Sequence, residues 1–170
     1  MPGPIKLFVR VVDRINRAVG RVAMLLLFAM AGVQLASTFS RLFFGVPINW
    51  ALEMTQFMLA TYFLLGAAYS LQENAHVRMD LLYSRLDPKR RAVTDAITIG
   101  FVIFYLVVLL RGGWSSTEYA VVYGQKNYSA WGPLMWPVKS LMTLGIFLML
   151  LQAISNLFKD IATAMGRPMA

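Results

Sequence analysis

Three stretches of 19 consecutive residues in this chain carry no charge, and their spacing restricts the fold more than any other feature. Arg21 and Arg41 enclose Val22 to Ser40, Glu53 and Glu73 enclose Met54 to Gln72, and Lys139 and Lys159 enclose Ser140 to Phe158. As a helix, each covers roughly 28 Å at about 1.5 Å per residue, close to the ~30 Å hydrocarbon core of a bilayer. A fourth run, Ala96 to Leu110 between Asp95 and Arg111, has only 15 residues and must draw on flanking positions such as Ala92 to Thr94. A soluble fold would have to hide all four in a core that 170 residues cannot build. With 58% hydrophobic and 14% charged residues, the expectation is an all-α integral membrane protein. Residues 1–170 then form a single membrane domain, with spans at about 22–40, 54–72, 92–111 and 138–158.

The formal charge of +8 would point to nucleic acid in a soluble protein, but its distribution has another explanation. Of the 16 Lys and Arg residues, 12 lie before the first span, between the second and third, or after the fourth. Arg41, Arg111, Lys126 and Lys139 alone lie on the other side. By the positive-inside rule, both termini and the middle loop are cytoplasmic. Nucleic acid is not an expected partner.

Residues 1–21 form a basic amphipathic segment. Lys6, Arg10, Arg14, Arg17 and Arg21 recur at spacings of 4, 4, 3 and 4, which stacks them on one helical face opposite Phe8, Val12, Ile15 and Val19. Such a pattern suits a helix lying in the membrane surface, with Arg10, Arg14, Arg17 and Arg21 on anionic inner-leaflet lipid. A solvated tail that only sets topology is the plainer alternative. The first apolar run exceeds the 7 to 15 residues of a signal-peptide core, so it is read as a retained span. No cysteine is present, which excludes disulfides and thiolate metal sites.

Trp50, Trp114, Trp131 and Trp136 fall in or beside the two outward segments, as an interfacial aromatic belt would. Residues from about Gly112 to Pro137 read as a long outward loop broken by Gly112-Gly113, Gly124 and Trp131-Gly132-Pro133, able to present a docking surface. On the cytoplasmic side, Arg78 to Leu86 can form a short amphipathic turn. Asp87-Pro88 then supplies an N-cap and a first-turn proline for span three. Small residues at Gly32, Ala36 and Ser40, and at Gly66 and Ser70, permit close helix contact within this subunit or against another.

Candidates for chemistry are few. The uncharged cores offer amides and hydroxyls such as Gln34, Gln56, Thr61 and Gln152, whereas Glu53 stands at the outer end of span two rather than at the midplane. His76 is the single histidine, too few for a bis-histidine haem or a zinc site, so no cofactor is expected. Asp80, four residues on, could hold the His76 imidazole in a structural clasp. No nucleophile elbow or phosphate loop occurs. The chain reads as no enzyme.

Span two and its exit read Trp50-Ala51-Leu52-Glu53, Phe63-Leu64-Leu65-Gly66-Ala67-Ala68-Tyr69, and Ala75-His76-Val77-Arg78-Met79-Asp80-Leu81-Leu82. This resembles the small membrane subunit (DctQ type) of tripartite ATP-independent periplasmic (TRAP) transporters, in which an acid opens the second helix and a His-Val-x-Val-Asp-like turn leaves it. The lead-in Trp136-Pro137-Val138-Lys139 to span four and the overall length also agree. Two departures are Leu52-Glu53, where the family often has adjacent acids, and Ala75, where it often has glycine.

The resemblance implies a scaffold subunit in a bacterial inner membrane, part of a sodium-driven, binding-protein-dependent importer of organic acids. It implies a large membrane subunit carrying the substrate and sodium sites, and a periplasmic substrate-binding protein. Glu53, Gly66, His76 and Asp80 would then serve structure or subunit contact, and the tryptophans outward docking. Two other classes remain open at this stage: a self-contained four-helix transporter, and the membrane anchor of a redox enzyme.

Overall fold

The computed structural model describes residues 3–73 and 88–164, with side chains for 5–73, 94 and 97–162. Four helices fill that range: α1 (Gly3–Phe44), α2 (Ala51–Gln72), α3 (Pro88–Val122) and α4 (Trp136–Ala164). Each is long and apolar enough to cross a membrane.

The helix boundaries follow local stop and start signals. Beyond its first turn α1 meets no proline before Pro47, so nothing separates the basic segment from the first span. The basic amphipathic segment continues without a break into the first span, as the first part of one 42-residue helix about 63 Å long. Gly45, at φ 67°, stops it in the left-handed conformation that glycine adopts without strain. α3 starts at Pro88, where a missing amide hydrogen costs no helical bond. It does not break at Gly112-Gly113, as the sequence suggested, but runs on to Val122. There Gly124 adopts φ 56° and Gln125 N–H donates to Ala120 O at 3.1 Å, a capping arrangement that satisfies a terminal carbonyl. Glycine ends a helix where such a cap can form; inside a helix it only lowers propensity.

α4 packs against the other three helices, α1 packs on α2, and α1 and α3 make no extended contact with each other among the described residues. Gly145 brings α4 so close to α2 that a Cβ would lie 2.9 Å from the Leu64 carbonyl carbon. Gly20 receives the Tyr69 side chain from α2, and Gly113 faces Thr143 of α4. These glycines, rather than the exposed Gly32 and Ala36, mark the close approaches within the chain. Ala68, Ala120 and Ala162 are fully buried, whereas Phe28, Phe101 and Phe104 are more than two-thirds exposed. Lipid rewards close backbone packing as well as burial of apolar groups, so alanines share this interior with Leu65, Leu106, Ile146 and Leu148 while phenyl rings face outward.

The helix directions bring the two described ends of the chain together. Phe8 near the start of α1 meets Phe158 near the end of α4, with ring centroids 6.3 Å apart. The last turn of α2 lies beside them, through Asn156 Nδ2 donating to Leu71 O at 3.0 Å. Residues 45–50 and 123–135 therefore close the opposite end.

Candidate functional site

Polar chemistry is concentrated at the two ends of the bundle. At the end shared by the termini, Asn16 Nδ2 donates to Gln152 Oε1 at 2.7 Å. Gln152 Nε2 in turn donates to Asp13 Oδ1 at 3.0 Å and to Asn156 Oδ1 at 3.1 Å. Lys159 Nζ donates to Asp13 Oδ2 at 2.7 Å. Asn16, Gln152 and Ser155 are completely buried, and Ser155 Oγ lies 3.5 Å from Asp13 Oδ1. The Asp13 and Lys159 side chains keep 22% and 29% of their exposure, so water screens that pair and the buried amides supply most of the specificity. Asn16 Oδ1 and Gln72 Oε1 are buried with no hydrogen-bond partner among the described residues.

Helical geometry explains the cluster. Asp13 and Asn16 are three apart on α1, while Gln152, Ser155, Asn156 and Lys159 follow at i, i+3, i+4 and i+7 on one face of α4. Sequence reasoning counted Lys159 as a topology charge and Gln152 as a scattered amide, and passed over Asp13. The available signals were an acid within a basic segment and a polar stripe at helical spacing in span four.

The basic segment presents the two faces expected of it, rotated slightly. Lys6, Arg10, Arg14, Arg17 and Arg21 are all exposed. Val9, Val12, Asn16 and Ala23 are buried, whereas Ile15, placed on the apolar face by spacing, is 44% exposed.

At the other end the closure is lighter. Asn127 Nδ2 donates to Glu53 at 3.4 Å, a long bond to a half-buried carboxylate. Lys139 Nζ donates to Gln125 Oε1 at 2.7 Å and to Ser116 O at 3.4 Å. The 123–135 connection folds back on itself, with Asn127 N–H donating to Pro133 O and Met135 N–H to Gln125 O, both at 2.9 Å. Trp131 on this clip stands over Trp50 with centroids 6.4 Å apart. Trp136 opens α4, and Trp114 lies within α3, since that helix continues past the expected loop start. All four tryptophans are exposed.

Gly66 is half-buried with no neighbour in reach of a Cβ, on a groove of about 450 Å³ between α1 and α2. His76 and Asp80, with the motif around them and the Arg78 to Leu86 turn, lie outside the described residues. Between the two polar ends, the packing centres are Ala23, Leu65, Ala68 and Leu148, and Leu106, Ile146 and Ala153. Among the described residues no ionisable side chain is buried, and no cluster of His, Cys, Asp and Glu is placed to hold a metal ion.

The family described as tripartite ATP-independent periplasmic transporters, DctQ component, matches residues 30–163. A C4-dicarboxylate TRAP transporter small permease protein from Vibrio cholerae serotype O1 is 29% identical over 87 residues, 51% of this chain and 38% of that protein. The aligned stretch thus spans well under half of the relative. No solved structure gives a significant match.

Proposed function

We infer that this chain, which belongs to the DctQ component family of tripartite ATP-independent periplasmic transporters, is the scaffold subunit of a sodium-driven, binding-protein-dependent importer of organic acids. Membership makes it a multi-pass small permease subunit of a transporter and not an enzyme. The relative's name refers to C4-dicarboxylates, which supports organic acids as the cargo class. The large membrane subunit would carry the substrate and sodium sites, and a periplasmic substrate-binding protein would deliver the cargo. This chain itself would need no cofactor. The distribution of Lys and Arg supports an inner-membrane orientation with both termini and the 73–91 loop in the cytoplasm.

One observation carries the scaffold reading: the hydrogen-bonded polar networks sit at the two ends, and the space between is packed by Leu, Ile and Ala with Thr61 and no buried ionisable side chain among the described residues. A transport pathway needs polar side chains or interrupted helices near the midplane to replace water around a solute. Here α4 is uninterrupted through 29 residues and touches the α2 backbone at Gly145. Such a body suits a fixed frame against which another subunit moves. The end with Trp50 and Trp131 would face the binding protein, and Arg10, Arg14, Arg17 and Arg21 the inner-leaflet lipid.

The test is reconstitution in liposomes under an inward sodium gradient, with and without the large subunit and the binding protein. Uptake that requires both partners is the expected result. Saturable, sodium-dependent uptake by this chain alone would refute the scaffold reading. Reporter fusions that place Lys89 outside would refute the orientation.

A further inference from the structure

Arg111 takes part in neither polar closure. It is exposed on α3 and has no hydrogen-bond or ion-pair partner among the described residues. The charge-free run before it covers only about 22 Å, roughly 8 Å less than the hydrocarbon core. Because α3 continues as helix to Val122 instead of turning at Gly112, the chain does not carry Arg111 clear of the membrane. Its guanidinium therefore stands at the margin of the apolar slab, where an unpaired cation is costly and a long side chain reaches toward headgroups.

A groove of about 850 Å³ between α3 and α4 opens beside it. Val107 and Phe147 line its deeper part, and Thr117 and Ser140 its part nearer the loop end, with Arg111 and Trp114 between. The hydroxyls are already engaged: Thr117 Oγ1 donates to Gly113 O at 2.8 Å, and Ser140 Oγ to Trp136 O at 2.8 Å. Arg111 is thus the cation of the groove and the strongest donor free to meet a ligand. An apolar channel leading from a bilayer's interior to a guanidinium at the headgroup margin matches the polarity profile of a phospholipid with net negative charge.

We propose that the α3–α4 groove holds one acyl chain of an anionic phospholipid whose phosphate pairs with Arg111. Arginine suits this role because its planar fork donates two parallel hydrogen bonds to phosphate oxygens. The pairing neutralises the cation and lets the short third span sit in a bilayer of ordinary thickness. The site lies on the opposite end from the basic stripe of α1 and is independent of it, and it does not rest on the transport reading.

Native mass spectrometry of the full chain in detergent, titrated with palmitoyl-oleoyl phosphatidylglycerol or with the phosphatidylcholine of the same chains, reads the site directly. One phosphatidylglycerol is retained in preference, and Arg111→Gln weakens its binding about tenfold, the scale of a lost charge-assisted hydrogen bond. Leu144→Trp fills the groove without touching the charge and displaces the same lipid. Replacing Arg10, Arg14, Arg17 and Arg21 by Gln leaves that lipid in place. Equal retention of the two lipids, or unchanged retention in both Arg111→Gln and Leu144→Trp, overturns the proposal. Should Arg111→Gln not fold, Leu144→Trp decides, with Arg111→Lys expected to keep the preference for phosphatidylglycerol but bind it more weakly than arginine does. In the assembled complex, a photoreactive residue at position 144 that captures lipid supports the site, and one that captures the large subunit overturns it.

Discussion

The two ends of this bundle are closed by different chemistry. At the end shared by the termini, buried amides on α1 and α4 relay hydrogen bonds from Asn16 through Gln152 to Asp13 and Asn156, with Lys159 at the margin. At the other end a folded-back connection meets Trp50 through a ring contact and α2 through one long bond to Glu53, while Lys139 of α4 donates to Gln125 and to Ser116 O. The first closure ties helix to helix, and removing one member strands buried groups that lipid cannot satisfy. The second ties the connection mainly to the helix ends around it, mostly at an exposed rim where water replaces what is lost. One end is therefore built to hold shape, the other to present a surface.

The sharpest attack on that contrast is Gln152→Leu. It leaves the buried Asn16 amide without its acceptor and takes one donor from the part-exposed Asp13 carboxylate, which keeps Lys159, and should cost about 1–3 kcal/mol. Thermal or denaturant unfolding in detergent measures it, and a loss below about 0.5 kcal/mol would dismiss the network as a stabilising element. Gly145→Ala probes the packing between the ends. The new methyl would meet the Leu64 backbone, which cannot swing aside, so a loss of about 1–3 kcal/mol is expected in the same assay.

Glu53→Gln comes next in size. The carboxylate occupies the first turn of α2, where the helix dipole favours negative charge by about 0.3–1 kcal/mol. A modest fall in assembly or stability should accompany an unchanged sodium stoichiometry of the complex. A changed stoichiometry with intact assembly would give Glu53 a role in coupling. Asn127→Ala should have the smallest effect, under about 0.5 kcal/mol, because its bond to Glu53 is long and only part-buried. A loss there as large as that of Gln152→Leu would erase the distinction between the two ends.

Four apolar helices were legible because lipid demands an uninterrupted charge-free run for each crossing, and sequence records charge directly. The exposed basic face of the N-terminal segment and the start of α3 at Pro88 were legible for similar reasons, being local consequences of helical spacing and of proline's missing amide hydrogen. The family resemblance was legible in one motif-bearing stretch that holds Glu53, Gly66, His76 and Asp80, and the family match extends over residues 30–163. What only the tertiary structure decided concerns pairs of residues far apart in the chain. Gly112-Gly113 read as a break because local propensity knows nothing of α4, against which Gly113 packs. Asp13 was invisible as a structural residue because its partners, Gln152 and Lys159, lie about 140 positions away. Spacing reveals which face of a helix is polar. Which other face meets it is set by packing, and that is where a buried amide acquires a partner or remains without one.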